Sequence, residues 1–317
     1  RSLGYQINLV DLEKEGLASQ LPLGFFSFDS VCPDQFKKYF VTPNSDADID
    51  AVYVRSEERE KNEIAVCRQA EAYTLGSFYK STFWNQRRNH LSYFGTQEQP
   101  VYCSMKCLHD GYDYSSGLIV TAQKGMRTVS VIGFGTNGGD THCNLDMVKD
   151  ATIQASDVRI RFEIGGAVDT VDLEQTDDRT FLMRMEDALL RVQFPYARYG
   201  EEPVHFQITE ENGHANETGG HKEVHDIKCI DVVLYSGEKK AHCFTDMAEC
   251  CCAVSFEIVP NNGQFHAEAE AIVCDGRLRI SQDGLAAEAP AAACRLEDFV
   301  QNARAYRDGR EYQDIYL

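Results

Sequence analysis

The chain's densest polar and aromatic clusters lie in three stretches between residues 76 and 142. The first is Trp84-Asn85-Gln86-Arg87-Arg88-Asn89-His90, the second His109-Asp110-Gly111-Tyr112-Asp113-Tyr114 and the third Gly138-Gly139-Asp140-Thr141-His142. A strand needs one apolar face and a loop needs small polar residues, and neither need explains Trp, paired Arg, His, Asp and Tyr together. Trp84, the single Trp of the chain, offers a flat face for the C–H surface of a sugar ring. Asn85 and Gln86 are planar hydrogen-bonding partners for hydroxyls, and the Arg87 and Arg88 forks match a carboxylate with two parallel bonds. With His90 these residues form a candidate surface for binding an acidic sugar. The structural alternative is a buried Trp that anchors a sheet, with solvated arginines beside it.

A His and a Tyr are the pair that a β-elimination next to a carboxylate needs, one taking the proton and the other protonating the leaving oxygen. His109 and Tyr112 are therefore catalytic candidates. Asp110 and Asp113 are the clustered carboxylates that a glycosidase would need instead. The competing expectation is that both aspartates cap a tight turn at Gly111. Asp140 and His142 alternate along an extended stretch and project to one face. With a third ligand such as His90 or His109 they would make a structural site for zinc or another divalent metal, but no cofactor is firmly indicated. His214, His221, Glu223 and His225 match no metal spacing and read as a solvated loop. Cys103 and Cys107 have CxxxC spacing without a second pair. No GxSxG, P-loop or HExxH motif occurs, and Gly133-Phe134-Gly135-Thr136-Asn137-Gly138 lacks the βαβ setting of a nucleotide site.

At 317 residues and 43% hydrophobic, the chain can bury a full core. Its net charge of −19 repels a phosphate backbone and an anionic lipid surface alike, so neither nucleic acid nor membrane is an expected partner. A local pair such as Arg87-Arg88 can still oppose that field within a Debye length of about 8 Å. No apolar run approaches the roughly 20 residues of a membrane helix, and a soluble protein is expected. Most of the twelve cysteines lie in apolar runs, as buried thiols do, which favours a reducing, cytoplasmic setting.

The elements that must position these clusters are short strands. Residues 1–48 have mixed helical character, with Leu9, Leu12, Leu17 and Leu21 near a helical period. From residue 49 the pattern turns to strands, expected at 51–55, 63–68, 72–77, 101–108, 117–123, 128–135, 158–164, 168–173, 180–185, 189–194, 204–209, 227–236, 253–258, 264–271 and 278–281. Residues 212–220 read as an exposed Gly-flanked loop, and 295–317 as a terminal helix or tail. The expected fold is mainly β, a large antiparallel β-sandwich over 49–294 with short helical segments at both ends.

Four stretches, Ala72-Tyr73-Thr74-Leu75-Gly76-Ser77, Trp84 to Arg88, Leu108 to Asp113 and Gly139 to His142, resemble the β-sandwich part of heparinase and alginate-lyase type enzymes. The similarity covers roughly residues 49–164, about a third of the chain. Those enzymes join an (α/α) toroid to stacked antiparallel sheets. The resemblance implies action on a uronic-acid-containing polysaccharide or oligosaccharide, by lyase in preference to hydrolase chemistry, and a helical toroid domain or subunit as partner. Some members hold a structural zinc through His and Asp. Asp140 and His142 would correspond, but the third ligand has no matching motif. The rival expectation is a non-catalytic carbohydrate-binding or assembly module that docks on a helical catalytic partner.

Overall fold

The computed structural model describes residues 47–56, 61–70, 72–80, 90–95, 99–113, 117–137, 148–218 and 221–316. These are mostly strands, in three antiparallel sheets, as expected from the sequence. The chain opens in a first sheet with β1 (Ala47–Ser56), β2 (Lys61–Gln69), β3 (Tyr73–Phe78), β4 (His90–Gly95), β5 (Pro100–His109) and the short β6 (Tyr112–Asp113). It crosses to a second sheet for β7 (Gly117–Lys124) and β8 (Arg127–Phe134), then returns to the first for β9 (Thr152–Gly166). It crosses again for β10 (Asp172–Asp177), β11 (Thr180–Arg184) and β12 (Ala188–Tyr199), and returns for β13 (His205–Thr218) and β14 (His221–Cys243). A last crossing adds β15 (Cys250–Pro260). The third sheet follows without interruption: β16 (Glu270–Cys274), β17 (Arg277–Gln282), β18 (Leu285–Pro290), β19 (Arg304–Arg307) and β20 (Arg310–Glu311). Helix α1 (Leu296–Asn302) lies between β18 and β19, and α2 (Tyr312–Tyr316) follows β20.

The first sheet runs β1-β2-β3-β4-β5-β9-β14-β13, with β6 paired to β5; the second runs β10-β11-β12-β15-β8-β7 and the third β16-β17-β18-β19-β20. Side-chain alternation shows the second sheet to be the middle layer. Along β15, Cys250, Cys252, Val254 and Phe256 face a core shared with the first sheet, including Met105, Ile160, Phe162 and Ile230. Cys251 and Ala253 face a second core shared with Leu278, Ile280, Ala287 and Phe299. The Cys250-Cys251-Cys252 run is thus divided between two interlayer spaces. One edge is closed by the chain itself: Lys80 bridges Val120, Thr121 N–H donates to Tyr79 O at 2.8 Å, and the Tyr79 ring stacks on Tyr312 at 5.2 Å between centroids.

Several expectations are corrected. Residues 212–218 do not form part of a loop but the end of β13, paired with the start of β14 from His214–His225 to Thr218–His221, while 219–220 lie outside the described residues. Residues 168–170 form a single 3-10 turn before β10. The strand expected over 264–271 begins only at Glu270, because buried side chains hold the preceding residues. The expected tail is one short helix followed by a strand pair that completes the third sheet, since Leu296, Phe299, Ala303 and Ala305 are buried. The helical and linker segment expected over residues 1–48 lies outside the described residues except for Ala47 and Asp48, which already belong to β1.

Candidate functional site

The strands that lead into the three sequence clusters run toward one end of the sandwich. Ser77 pairs with His90, so β3 leaves and β4 enters on the same side, and β5, antiparallel to β4, ends there at His109. His109 pairs with Val158 near the start of β9. Gly117 at the start of β7 pairs with Phe134 at the end of β8. The Phe134 ring packs on Phe244 and Tyr199, and Phe244 directly follows β14, whose last residue pairs with the first of β9. The chain therefore leaves for residues 81–89, 110–116 and 138–147 in one direction, from Lys80, His109 and Phe134, whereas it re-enters at His90 beside Phe256, at the level of Thr128 on β8.

At the second cluster the geometry is that of a turn. Asp110 and Gly111 have φ of 46° and 81° and are the two central residues of the β5–β6 hairpin, in which His109 pairs with Tyr112. Asp-Gly is the pair that best tolerates two successive left-handed residues, and their twist suits a hairpin. The Asp110 carboxylate is also engaged: its Oδ1 accepts from Ser156 N at 2.8 Å, Ser156 Oγ at 2.8 Å and Asp157 N at 3.0 Å. Burial alone would raise its pKa, but these bonds, with Lys239 nearby, hold it below the usual carboxylate range. Asp110 therefore ties the hairpin to β9. His109 faces inward and is buried, and desolvation lowers its pKa. Tyr112 and Asp113 form β6 and are described through their backbone alone.

His90 is placed differently from the sugar-binding role expected of it. With Ser92 and Phe94 it points into the interlayer space, 3% exposed, its ring edge-on to Phe256 at 4.0 Å and Phe162 at 5.6 Å between centroids. Its Nε2 has no partner among the described residues, and desolvation lowers its pKa to about 3. A ring so enclosed cannot touch a surface glycan. Trp84, Asn85, Gln86, Arg87, Arg88, Asp140 and His142 lie outside the described residues. No group of three His, Cys, Asp or Glu able to hold a metal ion occurs among the described residues. Cys103 and Cys107 both point inward from β5, but four residues along a strand separate them by roughly 13 Å, too far to share one ion. The ten described cysteines are free thiols, seven of them buried.

Two ionic clusters escaped the sequence reading because their members are scattered over separate strands. On the outward face of the first sheet, Arg161 grips Asp231 bidentately, Nε to Oδ1 at 2.8 Å and Nη2 to Oδ2 at 2.9 Å, and reaches Glu211 at 2.5 Å. Arg159 Nη1 and Thr209 Oγ1 each donate to Asp231 Oδ2 at 2.8 Å. Alongside, Lys106 donates to Glu163 at 2.6 Å. The Tyr102 ring lies over Gly165, where an added Cβ would come within 2.3 Å of its hydroxyl. These arginines are committed to internal carboxylates. At the opposite end of the sandwich, buried Glu257 accepts from Arg191 at 2.9 Å, from His266 N at 3.1 Å and from His266 Nδ1. Arg191 also binds His266 O at 2.9 Å and stacks on Phe265. This clamp holds the segment before β16 and orients the His266 imidazole.

No known protein-family model matches the chain, and no curated protein is significantly similar to it.

Proposed function

We propose that this chain is a β-sandwich module of a carbohydrate-active protein, and that it contacts a uronic-acid-containing glycan at the end where residues 81–89, 110–116 and 138–147 depart. The observation that supports this reading is that the chain leaves Lys80, His109 and Phe134 toward one end of the sandwich. Three clusters dispersed over some sixty residues of sequence thereby follow strands that run toward the same end. Arg87 and Arg88 would hold the carboxylate and Trp84 would stack on a ring. Binding is the better supported activity. Lyase chemistry through His109 fits less well, because its ring is buried and a proton acceptor must come within hydrogen-bond reach of the proton it takes.

The test is titration of the full chain, with and without a helical partner protein, against acidic and neutral oligosaccharides. Arg87→Ala or Arg88→Ala should weaken acidic-glycan binding by about 1.5–3 kcal/mol, the worth of a charge-assisted hydrogen bond. Equal affinity for both sugar classes, unchanged by either substitution, overturns the proposal.

A further inference from the structure

Each edge of the three sheets is blunted except one. β1 and β13 carry register shifts, at Val52/Val54 and Glu211/His214. β10 is acidic and also shifts register, at Gln175/Asp177. β7 is covered by the Lys80–Val120 bridge, and β20 is two residues long. The remaining edge, β16, pairs with β17 in unbroken register from Glu270–Ser281 to Cys274–Arg277, and its other side has no strand partner among the described residues. It has no Pro, Lys or bulge, the usual devices against edge pairing. Ala271 and Val273 pack inward, while Glu270, Ile272 and Cys274 are exposed. Ile272, 62% exposed, is the one large hydrophobic residue left in solvent among the described residues.

We infer that β16 is a homodimer edge, pairing antiparallel with β16 of a second copy about a two-fold axis at Ile272. That symmetry sets Ile272 against its own counterpart, a favourable cross-strand pair of β-branched residues. It also sets Glu270 opposite Cys274 of the second copy. Each Glu270 thus meets a neutral thiol and not a second carboxylate across the new edge. A parallel arrangement would face Glu270 against Glu270. The antiparallel pair extends the five-stranded sheet to ten strands and satisfies the open backbone groups of both copies. This inference uses none of the loops of the glycan reading and stands or falls separately.

Sedimentation velocity of the full chain over a concentration series in reductant tests it, with the mass expected to move from one chain to two. Ile272→Lys should abolish that shift while leaving the circular dichroism spectrum and Tm unchanged, because the side chain is solvent-exposed. Directly opposed residues in an antiparallel pair have Cα atoms about 4.5–5.5 Å apart, within disulfide reach. Glu270→Cys should therefore give a covalent, reducible dimer through native Cys274 on mild oxidation, and Glu270→Cys with Cys274→Ser should lose it. A one-chain mass at every concentration, an undiminished dimer in Ile272→Lys, or equal cross-linking without Cys274 overturns the inference.

Discussion

Asp231 and His90 both belong to the first sheet and both are withdrawn from water, Asp231 on the outward face and His90 on the inward one. Asp231, 0% exposed, accepts four hydrogen bonds from Arg161, Arg159 and Thr209, so its charge is matched at every approach. His90 sits among phenylalanine rings with its Nε2 unpartnered among the described residues. A buried charge persists only when paired, whereas a neutral imidazole can be tolerated as an aromatic filler at a modest cost. The first arrangement makes stability depend on the partner; the second makes it depend on the proton.

Breaking the matched site should have the largest effect. Asp231→Ala removes the carboxylate that Arg159 and Arg161 share, leaves them only Asp157 and Glu211, and should destabilise the protein by about 3–5 kcal/mol in chemical denaturation. A loss below about 1 kcal/mol would mean that water reaches these arginines and that the cluster is not a closed unit.

The unmatched site should respond to acid. The folded-state pKa of His90, about 3, lies below its unfolded value near 6.5, so the unfolded chain binds the extra proton. Stability from this group is therefore complete above about pH 6.5 and is lost as pH falls from 6.5 toward 3, by about 1.4 kcal/mol per pH unit. His109 and His242 are lowered by burial too and act with the same sign. Denaturation at pH 7, 6, 5 and 4 should show this slope, and His90→Phe should reduce it by about 1.4 kcal/mol per unit; an unchanged slope would show that His90 is solvated.

The smallest effect is expected at the hairpin that ties β5 to β9. Asp110→Ala removes the acceptor of three hydrogen bonds and forces a Cβ residue without a polar side chain to φ of 46°, at a cost of about 1–2 kcal/mol. Asp110→Asn, which tolerates that φ, should recover most of the loss, and a thermal melt of both variants checks it.

Alternating apolar residues made the strands of the first two sheets legible, and the contrast between Asp231 and His90 explains what was not. β4 was missed because its inward positions are His90 and Ser92, so the polar side chains occupy the face where strand reading expects apolar ones. The first cluster consequently read as one loop through His90, when the last of its residues already belongs to the core. Asp231, Arg159, Arg161 and Glu211 meet through register between β9, β13 and β14, which no local window contains. The third sheet had a local signal that went unread. Asp275-Gly276, Asp283-Gly284 and Asp308-Gly309 all adopt positive φ and close the hairpins β16–β17, β17–β18 and β19–β20, as Asp110-Gly111 does for β5–β6. Residues 212–218 looked like part of a loop because their polar composition hides a strand, which pairs with His221–Ile227 beyond the last β9 partner at Lys228.

The weaving of the first two sheets bears on how the chain is made. Because strands of the two sheets alternate along the sequence from β6 to β15, the first sheet is not whole until Cys243 has been synthesised and the second not until Pro260. A chain emerging from the ribosome at about 5–20 residues per second holds open strand edges for many seconds before β15 arrives to join β12 to β8. Unlike a string of domains, it offers no cut between residues 114 and 242 at which a fragment could be stopped and still own a complete sheet. Its vulnerability to aggregation is therefore concentrated in synthesis, before the finished protein exists.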